Sequence, residues 1–145
     1  MVKTSIFGTR LFFHASINKI KLNKLRMPHI VVNQQVDLLE FSKHFSPYFQ
    51  KSPLIRISNI YVESNGLSAL LPVVVIDELH QEFFIQISTS PKKTTIRLLP
   101  LTDPQKTDSV KKSLSLVYFQ MKKFDSSLVV TKSNLWEYIK TEISS

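Results

Sequence analysis

The sequence predicts an α+β domain: a four-stranded antiparallel meander sheet flanked by an N-terminal helix and a long C-terminal helix, both packed on one face. Three observations carry this expectation. Between residues 54 and 101, four β-branched or aromatic runs are separated by short polar turns. Within 82–89, Phe83, Ile85 and Ile87 alternate with Phe84, Gln86 and Ser88, the period of a half-buried strand. Further on, Val110, Leu114, Val117, Met121 and Phe124 recur at four, three, four and three residues, which makes one apolar stripe on a helix laid across the sheet.

The elements follow in order. Residues 30–32 are either a short edge strand or an extended linker. Residues 36–46 put Leu38, Leu39, Phe41 and Phe45 on helical spacing, with Asp37 in the first turn, where a negative charge suits the helix dipole. Pro47 ends or kinks that helix, and Tyr48 and Phe49 pack just beyond it. The first strand of the meander is 54–63, with Ile55 and Ile57 on one face. Ser64-Asn65-Gly66 predicts a hairpin, because Asn-Gly supplies the positive φ of a type I′ turn. The chain returns over 67–76, crosses the polar connection 77–81, and continues as the strands 82–89 and 94–101, joined through Ser90-Pro91-Lys92-Lys93.

Thr102-Asp103-Pro104 then reads as a helix start, with a capping acid before a proline at the first helical position. Lys111, Lys112, Lys122 and Lys123 fall mainly off the apolar stripe, and Met121 is core filler. A short strand is expected at 128–131. Asn134 and Glu137 have the spacing of a capping box and open a terminal helix bearing Leu135, Trp136 and Ile139. Trp136 either clamps the C-terminus to the core or presents an anchor to a partner.

Composition excludes several chemistries. A chain of 145 residues predicts one domain, large enough to bury a core without covalent staples. The absence of cysteine removes disulfides, thiolate metal sites and a cysteine nucleophile. His14, His29, His44 and His80 are scattered and offer no pair at helical ligand spacing, so no metal site is expected. Gly8 and Gly66 are the only glycines, too few for a phosphate-cradling loop or a dinucleotide fingerprint, and no nucleophile elbow is present. No cofactor and no catalytic set are expected. The longest apolar run, 70–76, is interrupted by Pro72, and no run reaches the length of a membrane span.

The net charge of +8 invites a nucleic-acid reading, but its distribution is uneven. Residues 1–36 hold six basic side chains and no acid. Residues 37–89 hold three basic and six acidic, and residues 90–125 hold eight basic and three acidic. The basic set of the last segment is Lys92, Lys93, Arg97, Lys106, Lys111, Lys112, Lys122 and Lys123. It is the expected surface for nucleic acid or another partner, since each neutralised phosphate releases counterions. Its lysine richness favours backbone charge over base reading. The same set also reads as a solvated face that keeps the protein soluble. Asp77, Glu78 and His80 share one loop, read either as an acid–base or metal cluster or as solvated surface. Tyr48, Tyr61, Phe83 and Phe84 can stack single-stranded RNA or build the core.

The basic N-terminus has the composition of a mitochondrial presequence, with apolar and hydroxyl residues interspersed and Asp37 as the first acid. Arg10-Leu11-Phe12-Phe13-His14-Ala15-Ser16 resembles the processing region of fungal-type mitochondrial presequences. That resemblance implies a targeting leader at 1–27, removed on import, and a single mature α+β domain at 28–145 in the matrix. A disordered basic tail and a membrane-surface helix are the other readings of the leader. Met27-Pro28-His29-Ile30-Val31-Val32 resembles the opening of tautomerase-superfamily proteins. It implies a general base at Pro28 if the chain begins there, because a terminal secondary amine can accept a proton and an internal amide cannot.

The expected function is a small non-enzymatic mitochondrial matrix protein of organellar gene expression. It would be a subunit of the mitochondrial ribosome or a factor docked on its rRNA. The alternatives are a respiratory-complex assembly factor or chaperone that binds protein only, and a tautomerase-like enzyme using Pro28.

Overall fold

The computed structural model describes residues 27–143, with side chains through residue 140. Apart from Met27, the leader lies outside the described residues. The strands are β1 (His29–Val32), β2 (Tyr48–Lys51), β3 (Leu54–Ile57), β4 (Tyr61–Val62), β5 (Ser68–Ile76), β6 (His80–Ser90), β7 (Lys93–Leu98) and β8 (Val130–Ser133). The helices are α1 (Leu38–His44), α2 (Asp108–Phe124) and α3 (Trp136–Ile143).

All eight strands join in one antiparallel sheet that curls into a half-barrel, in the order β2-β3-β5-β6-β7-β1-β8, with β4 on the edge of β5 that β3 also uses. The expected four-stranded meander with a long C-terminal helix is therefore corrected. The meander is only the middle of a wider sheet. β1 inserts between β7 and β8, so Ile30 faces Ile96 on one side and Ser133 on the other. From β1 the chain crosses through α1 to the far edge and returns strand by strand. β1, β2 and β8 have four residues each, too few to show a period, and β1 finds its partners far along the chain. The longest helix, α2, is followed by β8 and α3 and is not terminal.

The predicted strand 54–63 is broken in two. Ile57 faces Val73 but Tyr61 faces Leu70, so residues 58–60 oppose only residues 71–72. This one-residue bulge carries Ile57 to the inner face and Tyr61 to the outer one. The following turn is not type I′. Gly66 alone has positive φ (76°), and Asn65 instead accepts the Leu67 N–H at 2.9 Å through its side chain. The loop spans residues 64–67, closed by Glu63 N–H on Ser68 O at 2.8 Å.

The alternation of β5, β6 and β7 places Ala69, Leu71, Val73, Val75, Phe83, Ile85, Ile87, Ile96 and Leu98 in one buried surface. α2 lies across it against β1, β3, β5 and β7, burying Val110, Leu114, Val117 and Met121 completely. α2 begins at Asp108, capped by Thr107, whose hydroxyl accepts the Val110 N–H, and not at Thr102-Asp103-Pro104. Thr102 serves the sheet: its Oγ1 accepts the Phe84 N–H at 3.2 Å and donates to Leu99 O at 2.8 Å. Asn134 likewise does not cap α3. It brackets the start of β1, donating to Met27 O at 2.8 Å and accepting His29 N–H at 3.1 Å. α3 buries Leu135 and Ile139 beside it, and Tyr138 donates its hydroxyl proton to Asp108 at 2.6 Å, tying α3 to the start of α2. Trp136 is 42% exposed and does not clamp the terminus.

One buried polar pair fixes the crossover from β1 to α1. Thr94 donates to Gln34 O at 2.9 Å, so the 2.7 Å contact between Thr89 and Thr94 has Thr89 as donor. Both hydroxyl oxygens accept the Val36 N–H, at 3.1 and 3.0 Å. Two buried threonines thus satisfy main-chain groups of a segment that runs over the sheet without pairing.

Two stability predictions follow from these contacts. Leu114→Ala should cost about 3 kcal/mol in urea unfolding, the usual range for a fully buried leucine being about 2–5. Lys112→Ala, exposed on the same helix, should stay within about 0.5 kcal/mol. Thr94→Val should cost about 1–2 kcal/mol, because Gln34 O loses its donor in a part-buried site. Thr89→Val should cost less, since Val36 N–H keeps Thr94 as acceptor and Gln34 O keeps its donor. Equal losses for the two threonine variants would contradict this assignment of the protons.

Candidate nucleic-acid interface

The face of the sheet turned away from α2 is built by the other half of each strand. Register places its residues in rows. Phe49, Arg56, Val74 and Glu82 form one row across β2, β3, β5 and β6. Pro72 and Phe84 form the next, and Tyr61, Leu70, Gln86, Arg97 and His29 a third. None of the described helices covers these rows. Phe49 is 55% exposed and Tyr61 is 59% exposed. Leu70, Pro72, Val74 and Phe84 are half-buried and form an apolar floor, with a hollow of about 150 Å³ beside Pro72, Val74 and Phe84.

Both arginines of the described residues, Arg56 and Arg97, stand on this face, and neither is paired with a carboxylate among the described residues. Arg97 is exposed and donates from Nε to Gln86 Oε1 at 3.0 Å. β3 and β7 are three strand spacings apart, and the rows of Arg56 and Arg97 are offset by the four residues from Glu82 to Gln86. The two Cα atoms are therefore about 20 Å apart, at roughly 4.8 Å per strand and 3.3 Å per residue. Lys51, Lys93 and Lys132 share the face by register, against Glu63 and Glu82. Glu82 is itself held by His80, Nε2 to Oε2 at 3.1 Å.

The structure divides the sequence-predicted basic set. Lys93 and Arg97 lie on the outer face, with Lys92 at the tip of the β6–β7 hairpin. Lys111, Lys112, Lys122 and Lys123 ride on α2, on the opposite side of the sheet. Lys122 is committed to the fold, donating to Ser126 O and Leu128 O at 2.8 and 2.6 Å, which ties the chain after α2 back to the helix. Lys106 is paired with Asp103. The eight residues do not make one surface.

The aromatic candidates also divide. Phe83 is core and Tyr48 faces inward, while Phe84 and Tyr61 face outward. Arg56 and Phe49 were missing from the predicted set. The parity of Arg56 between buried Ile55 and Ile57 was a usable signal; Phe49 had none, because β2 was not foreseen as a strand.

The Asp77, Glu78 and His80 loop is no cluster. Asp77 turns back to accept the Leu79 N–H at 3.0 Å, and that hydrogen bond holds its carboxyl below the usual carboxylate range. His80 turns to Glu82. Among the described residues no three His, Asp or Glu side chains are grouped to hold a metal ion. Pro28 is buried as it enters β1, and the Met27 carbonyl before it accepts from Asn134 and from His29 Nδ1 at 2.9 Å. Among the described residues no helix is long and apolar enough to cross a membrane.

The chain matches no protein-family model, no curated protein and no solved structure.

Proposed function

We propose that this protein is a non-enzymatic RNA-contacting component of mitochondrial gene expression, in the ribosome or docked on it, and that the outer face of its sheet is the contact surface. One observation carries the reading: Arg56 and Arg97, free of carboxylate partners among the described residues, flank an apolar floor that includes Phe84 and from which Phe49 and Tyr61 project. Aromatic side chains on a sheet stack unpaired bases, each worth about 1–3 kcal/mol, with little regard to sequence. Guanidinium groups at the margins take phosphate bidentately and stack on bases as well. The five basic side chains on the face outnumber its two acids, one of which, Glu82, is in contact with His80. This balance favours an anionic partner, and the exposed aromatic rings favour one that carries bases. The matrix location rests on the leader composition at 1–27.

Fluorescence anisotropy with a single-stranded RNA of about 12 nucleotides, over about 50–200 mM salt, tests the surface. The double variant Arg56→Ala, Arg97→Ala should weaken binding at least tenfold. It should also flatten the slope of log K against log salt by about 1.4, at roughly 0.7 per phosphate contact. Lys111→Ala with Lys112→Ala should leave both quantities nearly unchanged. Absence of binding at low salt, or equal loss in the two double variants, would overturn the assignment.

A further inference from the structure

A second feature lies on the other side of the sheet, at the β2 edge, and is independent of the RNA reading. The end of α1, the connection 45–47, the start of β2 and the last turn of α2 enclose a cleft of about 480 Å³. That volume is in the range of sites for small organic ligands, about 300–1,000 Å³.

The walls are set by the fold before any ligand arrives. Gln120 grips the main chain of Ser46 at both ends, accepting its N–H at 2.9 Å and donating to its carbonyl at 2.7 Å. This double bond fixes the distance between α2 and the connection, so little ordering remains to oppose binding. Phe124 is held from behind by Phe41, with ring centroids 5.6 Å apart, and His44 lies against Phe124 at 5.2 Å, tilted 48°. These two rings, inclined to each other, line the cleft together with Pro47 and Tyr48.

The polar groups left over are few. The contact of His44 Nδ1 with Glu40 O, at 3.0 Å, requires Nδ1–H as donor, because a carbonyl only accepts; Nε2 is the nitrogen His44 has left to offer. Tyr48 gives its proton to Gln50 Oε1 at 2.7 Å and keeps an acceptor oxygen. Lys123 is exposed and lines the cleft, and it has no carboxylate partner among the described residues. No acid lines the cleft. The acids on α1 are engaged elsewhere: Asp37 caps the helix, and Glu40 holds Lys43 at 2.9 Å.

We infer that this cleft binds a small organic anion with a flat apolar body, the ring lying along His44 and Phe124 and the anionic group meeting Lys123. An aromatic carboxylate and a nucleoside monophosphate share this chemistry. A flat neutral molecule lacks the Lys123 contact, and a bare inorganic anion lacks the ring contact, so each half alone should bind poorly.

The test is a ¹H–¹⁵N NMR titration of the full chain with AMP, benzoate, adenosine and inorganic phosphate in separate samples. AMP or benzoate should shift the amides of residues 44–46, 48 and 120–124 in a saturable way, with Kd below about 1 mM. Which of the two binds more tightly identifies the source of the anion. Adenosine and phosphate should each bind at least tenfold more weakly. Lys123→Ala should weaken the anion about tenfold, and Lys112→Ala, exposed and more than two helical turns before Gln120, should not. No saturable shift from either AMP or benzoate would overturn the proposal. So would shifts confined to the outer sheet face, or an affinity unchanged by Lys123→Ala.

Discussion

The fold depends on covering one face of a curled sheet with one long helix, helped at its ends by two short ones. β5, β6 and β7 alternate without a break, so a continuous apolar surface appears on one side and has to leave water. α2 supplies the complement, with Val110, Leu114, Val117 and Met121 all fully buried against it. The short strands then fall into place around that contact. β1 and β8 extend the sheet where α2 and α3 meet it, and β2 and β3 close the other end, where Phe41 meets Phe124. Because the helix layer is one-sided, the same alternation that makes the core also makes an outer face with no helix of the described residues upon it.

That one-sidedness is what gives the molecule two places to bind. On the outer face the pleat brings together residues distant in sequence, from Phe49 to Arg97, at spacings set by strand geometry. On the inner side, the narrow end of the helix layer leaves a gap between α1 and α2, held open by Gln120 and Ser46. The two sites differ in kind. The face is broad, cationic and aromatic, suited to an extended polymer. The cleft is small and carries one cation, suited to a single small anion. Neither uses the lysines of mid-α2, whose charge sits on a solvated helix surface.

Strong periodicity was legible in the sequence, and weak or long-range information was not. The strands at residues 68–76 and 80–98 and the stripe of α2 are long enough to display their periods. The four-residue strands carry one or two repeats at most, and the pairing of β1 and β8 is decided by partners about sixty to a hundred residues away. The bulge at residues 58–60 is invisible to an alternation argument, because it breaks the alternation it would be found by. The same limit governed the candidate site. Grouping residues 90–125 by charge along the chain joined Arg97 to helix lysines that the sheet separates from it. Thr102 and Asn134 carried the right chemistry for caps but serve the strands, where an unpaired main-chain group had the stronger need.

The claim that matters most is that RNA lies on the outer sheet face, and photochemical cross-linking of the full chain to single-stranded RNA, read by mass spectrometry of the joined peptides, addresses it most directly. The account predicts cross-links at Phe49, Tyr61 and Phe84, on peptides of β2, β4 and β6. Cross-links confined to α2, or to the segment before His29 alone, would contradict it.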